Sequence, residues 1–595
     1  METQSNPFAV QTPEDISAED VISLFVDVFT DFYQVPKPGH TFLHGPRGSG
    51  KSMMFRYMQP DCQSLIRGTL SSHPYFAVYV PIKSTDLHLI ELARLENKHA
   101  ALLINEHLMT MYVAVKAFAS LAKVSIEDPE GAYAKTVRSF YSEEFFSLLQ
   151  ESGWEESLPT VDEEETPDSL FSKMMRICDE IYRTTLTYIR RLAFVNDVVT
   201  YTGPLCVYLD FLLPLMRRLK QLPFMPKGPV YLLIDDADNL NSTQTTILNT
   251  WVSCRTSSDI SLKISTQLNY KTYRTVTGPT IDSPHDYSEV NISTVYTSSR
   301  NNYRKRVYDI VDKRLKMAKI EASPEEFFPP DEEQEAQISE IAETLKKDFP
   351  EKGRGYRVSD DVTRYARPMY IASLKGTSKS GSTYSYAGFD QLVHVSDGVV
   401  RYFLEAASLM YGKMLSKGKT TVLSIDPSVQ NEVVKSLADQ YLFSEFEKLE
   451  QDEAAVGELP DRAKKLRNLI LALGGTFHLL LISDQSERRT FSIAFSDTPD
   501  KEILDILKLG VRYGYFHEAS IGKKDGTGRT RRYVLSRRLA PYFLLDPTSF
   551  AGYKFVTSEA IRDAMRNPDA FIRRVKSRGC DEVFDNSQLN LFSED

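Results

Sequence analysis

This chain is organised around the segment Gly45-Pro46-Arg47-Gly48-Ser49-Gly50-Lys51-Ser52. The segment fits the pattern G-x-x-x-x-G-K-[ST], a glycine-rich loop that wraps around the phosphates of a nucleotide. Residues 41–44 before it are typical of a buried strand, and residues 52–58 after it are typical of a helix. Because strand, loop and helix in this order are the setting that such a loop needs, we predict that every position of the segment contacts a nucleotide.

Within this loop, glycines let backbone N–H groups turn towards an anion, and the following helix adds the positive end of its dipole. We expect Lys51 to bridge the β- and γ-phosphates and the Ser52 hydroxyl to bind Mg²⁺. The predicted ligands are therefore ATP and Mg²⁺. A surface turn that matches the pattern by chance is the alternative.

The composition is that of an ordinary globular chain. Its 595 residues are 42% hydrophobic and 26% charged, and the length predicts roughly three or four domains. A net charge of −10 argues against a protein that coats nucleic acid over its whole surface, but a local basic face is compatible with it. The five cysteines form no C-x-x-C pair, the N-terminus is acidic and polar, and no apolar run approaches the ~18 residues of a membrane span. These features predict a cytoplasmic protein without a membrane anchor.

A second candidate motif is the segment Val230–Asp236, an apolar strand that ends in two acids. Such a strand brings a carboxylate to the metal beside the phosphates. We predict that Asp235 holds Mg²⁺, directly or through water, and that Asp236 positions and activates the attacking water. Many strands end in two acids, so this interpretation depends on the loop upstream.

A further strand with a polar end is predicted over Ile260–Gln267. Thr266 is the first candidate, and Gln267 the second, for a side chain that reaches the γ-phosphate or the water; an ordinary strand end is the open alternative. Residues 75–81 and 289–294 complete five short strands with helical connections. The predicted class is α/β, with a parallel sheet between helical layers.

These landmarks divide the chain into predicted domains. Residues 1–40 form a lead-in with an amphipathic helix over 16–32, residues 41–299 the nucleotide core, 300–423 a helical lid, 424–550 a winged-helix-like domain, and 551–595 a helix and polar tail. A helical insertion at about 90–225 interrupts the core, with helices predicted over 87–124, 132–150 and 168–221.

The predicted winged-helix-like domain carries a basic hairpin. Its predicted elements are a helix over 462–473, strands over 477–482 and 490–495, a helix over 501–511, a glycine-rich turn over 522–528 and a strand over 531–535. Between Arg512 and Arg538 there are eight Lys/Arg residues against two acids, with Tyr513 and Tyr515 beside them. Such a hairpin meets nucleic-acid phosphates, although a hairpin used for protein packing is the alternative. The predicted nucleic-acid contacts are Lys523, Lys524, Arg529 and Arg531.

With these parts placed, the chain resembles the AAA+ ATPases of the origin-recognition type, which are related to the signalling STAND ATPases. Asn6–Phe8 looks like that family's leading segment near the adenine, residues 234–240 are similar to its Walker B motif, and residues 396–404 resemble its lid motif. The resemblance implies that Phe8 belongs to the nucleotide site and that Arg401 touches the γ-phosphate from the lid.

The chain also departs from that family. The usual Walker B glutamate is Asp236, a shorter side chain, so we expect hydrolysis to be slow or stimulated. The resemblance implies an arginine finger between the fourth and fifth strands, where Arg274 is the only arginine from Gln267 to Glu289. If Arg274 acts, it acts in a neighbouring subunit, which implies a homo-oligomer.

More loosely, the chain looks like large bacterial ATPases of phage-defence loci. Three functions stay open at this point: an ATP-driven molecular switch, a DNA-binding replication initiator or transposition regulator, and a defence scaffold whose ATP state controls an effector. No nuclease, hydrolase or TIR-like constellation is apparent in the sequence, so we expect any effector to be a separate protein.

Overall fold

The chain is seen here in a computed structural model whose contacts divide it into two compact units. One unit is Gln11–Thr294, and the other is Met1–Val10 with Val295–Asp595. The division falls a few residues before the predicted boundary at 299, and the finer domain boundaries stay predictions. The structure describes residues 6–9, 12–26, 32–82, 92, 95, 98–124, 126, 128, 131–194, 200–254, 258–267, 270–292, 303–352, 357–374, 383–418, 421–455, 461–483, 489–522, 528–548 and 552–584.

A five-stranded sheet forms the centre of the unit Gln11–Thr294, in the order β2-β3-β4-β1-β5. Each pairing is parallel, which confirms the predicted α/β core. The strands are β1 (Thr41–His44), β2 (Phe76–Pro81), β3 (Val230–Asp235), β4 (Ile260–Thr266) and β5 (Ser288–Asn291).

The two faces of this sheet pack against different helices. Ile234 lies in an apolar core that the sheet shares with the helical insertion. Its neighbour Leu233 lies in a second core, shared with the helix Lys51–Tyr57 that follows the glycine-rich loop. Because successive strand residues point to opposite faces, Asp235 ends β3 on the face of that helix.

The insertion is helical, as predicted, and its two longest helices, Lys98–Lys123 and Pro167–Arg191, pack against each other. The helix predicted over 168–221 is confirmed over Pro167–Arg191, Tyr208–Leu212 and Leu213–Leu219, but it is wrong in being continuous. Residues 200–207 are irregular and contain Gly203-Pro204, which disfavours a helix because proline lacks the N–H donor and restricts the residue before it.

The predicted helix over 16–32 is also too long. The helix begins at Ala18 and ends at Leu24, Phe25 has extended backbone, and residues 27–31 lie outside the described part of the chain. The other helical segments of this unit are Pro13–Asp15, Phe32–Gln34, Pro60–Arg67, Leu70–Ser72, Ala132–Ser139, Phe140–Phe145, Phe146–Glu151, Tyr208–Leu212, Leu213–Leu219, Ala237–Asn239 and Ser242–Ser253.

The second unit is mostly helical, and it contains the predicted lid motif. Helices Phe389–Val395 and Val400–Ser416 are separated at Asp397, whose φ of 56° is left-handed. The predicted interruption near residues 396–398 is therefore confirmed. The other helical segments are Tyr303–Met317, Pro324–Phe327, Glu332–Lys352, Val358–Ser373, Pro427–Leu442, Ser444–Ala455, Asp461–Leu481, Lys501–Arg512, Arg537–Leu539, Ala540–Phe543, Ser558–Arg566, Pro568–Arg578 and Cys580–Phe584.

A four-stranded sheet lies near the end of this unit, in the order β7-β8-β6-β9. Its strands are β6 (Thr490–Phe495), β7 (Phe516–Gly522), β8 (Arg529–Leu535) and β9 (Gly552–Val556). The helix Lys501–Arg512 and the antiparallel β7–β8 hairpin are as predicted. Since β9 pairs with β6 from beyond residue 550, the sheet extends past the predicted domain end, and the winged helix itself stays a prediction.

The strand predicted over 477–482 is wrong, because one helix runs from Asp461 to Leu481. Gly474 and Gly475 resemble a helix end in the sequence, but they serve close packing. A Cβ at Gly474 would lie 2.4 Å from the Phe543 ring, so this helix needs glycine where that ring approaches it. No helix in the described ranges is long and apolar enough to cross a membrane.

Candidate nucleotide-binding site

The glycine-rich loop joins β1 to the helix Lys51–Tyr57 through left-handed backbone. Gly48 has a φ of 79° and Gly50 a φ of 102°. L-residues rarely adopt these angles, so the sequence needs glycine at both positions. Left-handed residues in such a loop let successive N–H groups form a concavity that binds anions.

Lys51 is buried beneath this loop. Its Nζ donates to the carbonyl oxygen of Gly45 at 2.8 Å and to that of Pro46 at 3.0 Å. Burial lowers the pKa of Lys51, while the carboxylates of Asp236, Asp235 and Asp238 raise it in partial compensation. The charges of these three acids therefore act on the buried ammonium group.

Asp235 is nearly fully buried at the end of β3. Its Oδ1 accepts from the Ser265 hydroxyl and from the Asp236 N–H at 3.1 Å, and its Oδ2 accepts from the Tyr79 hydroxyl at 2.9 Å. The motif after β3 predicts Asp235, but no sequence pattern indicates Tyr79 or Ser265 as its partners. The register between the strands, which no local pattern states, decides which side chains reach the Asp235 carboxylate.

Two further acids follow Asp235. Asp236 has a left-handed φ of 54°, and burial, with the adjacent Asp235 carboxylate, raises its pKa. Asp238 accepts the Gln267 N–H at 2.6 Å through Oδ2, and burial raises its pKa as well. A raised pKa makes a carboxylate a stronger base, which suits the role predicted for Asp236.

Thr266, the first candidate for a γ-phosphate contact, faces the other side of the sheet. Its side chain is fully buried, and its Oγ1 lies 2.8 Å from His44 Nδ1. The hydroxyl also lies 2.6 Å from the Gln267 carbonyl oxygen, to which it donates. The side chain is thus engaged by its own strand end and by β1, and its catalytic role stays a prediction.

Arg274 lies in the irregular segment between β4 and β5, as its sequence indicates. It is exposed and forms an isolated antiparallel bridge with Thr280. Its carbonyl oxygen accepts from Asn249 Nδ2 at 2.8 Å, which fixes the backbone while the guanidinium extends from an exposed position. That exposed position suits an action outside its own subunit, and the role of Arg274 as an arginine finger stays a prediction.

Arg401 and Phe8 belong to the other compact unit. Arg401 is exposed in the first turn of the helix Val400–Ser416. The Phe8 ring is fully buried, with its centroid 5.6 Å from that of Phe327 and 5.7 Å from that of Phe328. Phe8 therefore fastens the leading segment to this unit, and its contribution to a nucleotide site stays a prediction.

The predicted nucleic-acid contacts of the hairpin lie only partly within the described residues. Lys523 and Lys524 lie outside the described residues. Arg529 and Arg531 are exposed on β8, where Arg529 Nη2 donates to the Ser520 carbonyl oxygen at 3.0 Å and Arg531 pairs with Glu518 at 3.3 Å.

Two of the eight basic residues, Arg537 and Arg538, do not belong to an exposed basic face. Arg537 is buried near Asp397, with 3.6 Å between Nη1 and Oδ1, and Arg538 lies between the Tyr402 and Tyr441 rings, 3.8 and 3.7 Å from their centroids. Tyr515, which the sequence places beside the basic residues of the hairpin, is also buried. These three side chains pack the unit internally.

The loop fits a bound phosphate and a magnesium ion. Ser49 Oγ is buried without a hydrogen-bond partner among the described residues, which is unusual for a hydroxyl and is what a loop built for an anion would contain. The described residues contain no cluster of three or more His, Cys, Asp or Glu side chains that could hold a metal alone. Mg²⁺ in nucleotide sites takes one or two protein oxygens plus phosphates, which Ser52 and Asp235 can supply.

A parallel sheet with a glycine-rich loop after β1, a buried lysine and acids after β3 defines a P-loop nucleotide-binding protein of the α/β class. Within that class, a family model described as ORC-CDC6-like matches residues 6–358 and 339–555. The chain belongs to the ORC-CDC6-like family, and the resemblance to origin-recognition AAA+ ATPases seen in the sequence is confirmed.

Among solved structures, the chain is similar to the ORC1 protein of Aeropyrum pernix, solved in complex with DNA. The two chains are 11% identical, with a TM-score of 0.27, and the match covers 96% of this chain and 97% of that one. No curated protein matches. The family assignment therefore depends on the family model.

Proposed function

We propose that this protein binds ATP with Mg²⁺ in the loop Gly45–Ser52, hydrolyses it, and acts as a molecular switch. The observation that carries the proposal is the buried Lys51 ammonium group at the glycine-rich loop, on which the charges of three acids act. Lys51 lies close enough to Asp235, Asp236 and Asp238 for their charges to raise its pKa against the effect of burial. Bound phosphates would give this ammonium group anionic partners in place of two backbone carbonyls.

Each residue has a distinct task in this proposal. Lys51 contacts the β- and γ-phosphates, and Ser52 and Asp235 hold the metal. Mg²⁺, when bound, supplies positive charge that neutralises the phosphates and polarises the γ-phosphoryl group. Asp236 orients a water molecule and takes its proton, a role that its raised pKa supports.

A further residue in this proposal is Arg401. We propose that Arg401 binds the γ-phosphate, which its exposed place in the first turn of a helix supports. Arg401→Ala should then leave ATP affinity within about threefold but lower turnover at least ~10-fold, because the arginine acts mainly on developing charge. Parallel losses of affinity and turnover would argue against this contact.

Phosphate release tests the catalytic assignment. Asp236→Asn should lower the rate of ATP hydrolysis about 100-fold while ATP affinity changes less than about threefold, since only proton transfer is lost. Asp179→Asn, which changes a half-buried aspartate on a helix of the insertion, is the matched control and should leave turnover unchanged. Normal hydrolysis by the Asp236 variant would overturn its assignment as the base.

A second candidate function is DNA binding by the hairpin β7–β8. Arg529 supports it, because this exposed arginine adjoins the segment that contains Lys523 and Lys524. Charge reversal at these three positions should weaken DNA binding and flatten its salt dependence. Arg183→Glu, an exposed arginine in the other unit, is the control. Unchanged binding would leave protein recruitment as the use of the hairpin.

We also propose a homo-oligomer and a separate effector protein as partners. The exposed Arg274 supports the first, and the helical insertion offers a surface for the second. A role in phage defence makes a further prediction, namely that a nuclease or toxin gene adjoins the gene of this protein. Adjacent replication or transposition genes would favour the DNA-binding alternative.

A further inference from the structure

The Asp235 carboxylate is held by hydrogen bonds to both of its oxygens. Oδ1 accepts from the Ser265 hydroxyl and the Asp236 N–H, and Oδ2 accepts from the Tyr79 hydroxyl at 2.9 Å. The Ser265 oxygen in turn accepts from the Asp236 N–H at 3.0 Å. One serine hydroxyl therefore orders the side chain of Asp235 and the backbone of Asp236.

The sheet register explains this arrangement. β2 pairs Pro81 with Asp235, so Tyr79, two residues earlier, lies on the same face and its long side chain reaches the carboxylate. β4 pairs Ile264 with Ile234, so the next residue, Ser265, lies beside Asp235. Both side chains thus come from the strands that flank β3.

Tyr79 also links the acid to the start of this unit. Its hydroxyl lies 2.9 Å from Glu14 Oε1 as well as from Asp235 Oδ2. A hydroxyl has one hydrogen, so the two carboxylates compete for it. Removing the Glu14 carboxylate would therefore leave the Tyr79 hydrogen to Asp235.

We propose that Tyr79 and Ser265 are positioning residues that fix the Asp235 carboxylate for Mg²⁺. The inference deepens the proposed function and rests on it. A carboxylate held by two hydroxyl donors keeps one orientation, so binding a metal costs it less side-chain entropy. Neither residue needs to touch nucleotide or metal.

Matched variants separate positioning from a general effect on the sheet. Tyr79→Phe and Ser265→Ala each remove one hydroxyl that donates to the Asp235 carboxylate. Tyr231→Phe removes a hydroxyl that donates to the Pro36 carbonyl oxygen, and Ser261→Ala removes one that accepts from the Gly39 N–H. These two controls come from the same sheet at its opposite end.

The experiment measures fluorescence of methylanthraniloyl-ATP on the full chain during a Mg²⁺ titration, with a parallel measurement in EDTA. Tyr79→Phe and Ser265→Ala should each raise the half-saturating Mg²⁺ concentration about 10-fold while affinity in EDTA is unchanged. Ser265→Thr should keep the half-saturating Mg²⁺ concentration of the wild type, because threonine retains the hydroxyl. Glu14→Ala should leave the Mg²⁺ requirement unchanged or lower it.

The outcomes separate the two proposals. If the wild-type chain does not bind the probe, the proposed function fails. If the wild-type chain binds and responds to Mg²⁺, but Tyr79→Phe and Ser265→Ala behave like Tyr231→Phe and Ser261→Ala, the positioning role alone is overturned. A fall in EDTA affinity equal to the fall with Mg²⁺ would also overturn it, since that pattern indicates damage to the loop.

Discussion

Gly50 shows how single residues set the geometry of the loop. Its φ of 102° is open to glycine but strained for other residues, and nothing lies within 4 Å of an added Cβ. An alanine at this position therefore acts only through the strain of its own backbone, because no neighbouring atom has to move. This isolates the effect of backbone conformation on phosphate binding.

Gly50→Ala should destabilise the protein by about 1–2 kcal/mol and weaken ATP binding. Gly131→Ala is the matched control, because Gly131 also has left-handed backbone, with a φ of 65°, and equally open surroundings at the start of the helix Ala132–Ser139. This control should lower the thermal stability about as much as Gly50→Ala does, measured by thermal unfolding, and should leave ATP affinity unchanged. Equal losses of affinity in the two variants would show that instability, and not loop geometry, weakens binding.

The candidate site residues in the loop and after β3 could be predicted from the sequence. The phosphate-binding loop and the aspartate proposed to hold the metal each lie in a short contiguous motif. The partners of Asp235 could not be predicted, because Tyr79 and Ser265 come from separate strands whose register only the sheet defines. For the same reason the sequence does not indicate that the Thr266 side chain faces His44.

Between elements, a buried network ties the loop before the helix Val400–Ser416 to the hairpin. The Asp397 carboxylate lies 2.7 Å from His517 Nε2 and accepts from the Ser536 hydroxyl at 2.7 Å, with Arg537 Nη1 3.6 Å away. The next residue, Arg538, stacks on Tyr402 of the same helix. These contacts join β7 and the residues that follow β8 to the lid motif.

This network predicts a pH dependence of stability. Burial opposes ionisation of Asp397, but His517 and Arg537 lower its pKa to about 2. The stability that the ionised Asp397 contributes is therefore present above pH 3.8 and is lost as the pH falls towards 2. Burial lowers the pKa of His517, but Asp397 raises it above its usual value of 6.5. The stability that protonated His517 contributes is therefore present below pH 6.5 and is lost as the pH rises through the pKa of the folded state.

Thermal unfolding should therefore show a stability loss above about pH 6.5 that His517→Gln removes. Asp397→Asn should lower the unfolding free energy by about 3 kcal/mol, because it leaves buried positive charge uncompensated. A pH profile that is unchanged in both variants would contradict the assigned network.

Elements with strong periodicity, such as β3 and the helix Lys501–Arg512, could be predicted closely from the sequence. The helix Asp461–Leu481 could not, because its glycine pair signals an end unless the approach of Phe543 is known. Arg537 and Arg538 look like part of a basic hairpin until their buried partners are seen.

For the whole molecule, an exposed arginine finger would make each site depend on a neighbouring subunit. Lys51→Ala subunits keep Arg274 but lose the proposed phosphate contact, whereas Arg274→Ala subunits keep the loop. Mixing the two should give faster ATP hydrolysis than the sum of the separate variants, because mixed interfaces contain one complete site. Strictly additive rates would contradict action between subunits.

Family membership and the parallel core could be anticipated from motifs alone. The packing inside each unit could not, because residues such as Phe8 and Arg538 are buried by segments distant in sequence.

Calorimetric titration of ATP in the presence of Mg²⁺, on the wild-type chain and on Lys51→Ala, tests the central claim most directly. The wild-type chain should bind one ATP per subunit, and Lys51→Ala should weaken binding at least ~100-fold, because the buried ammonium is the main charge facing the phosphates. Equal affinity in the two proteins, or no binding by the wild-type chain, would contradict the assignment of this loop as the nucleotide site.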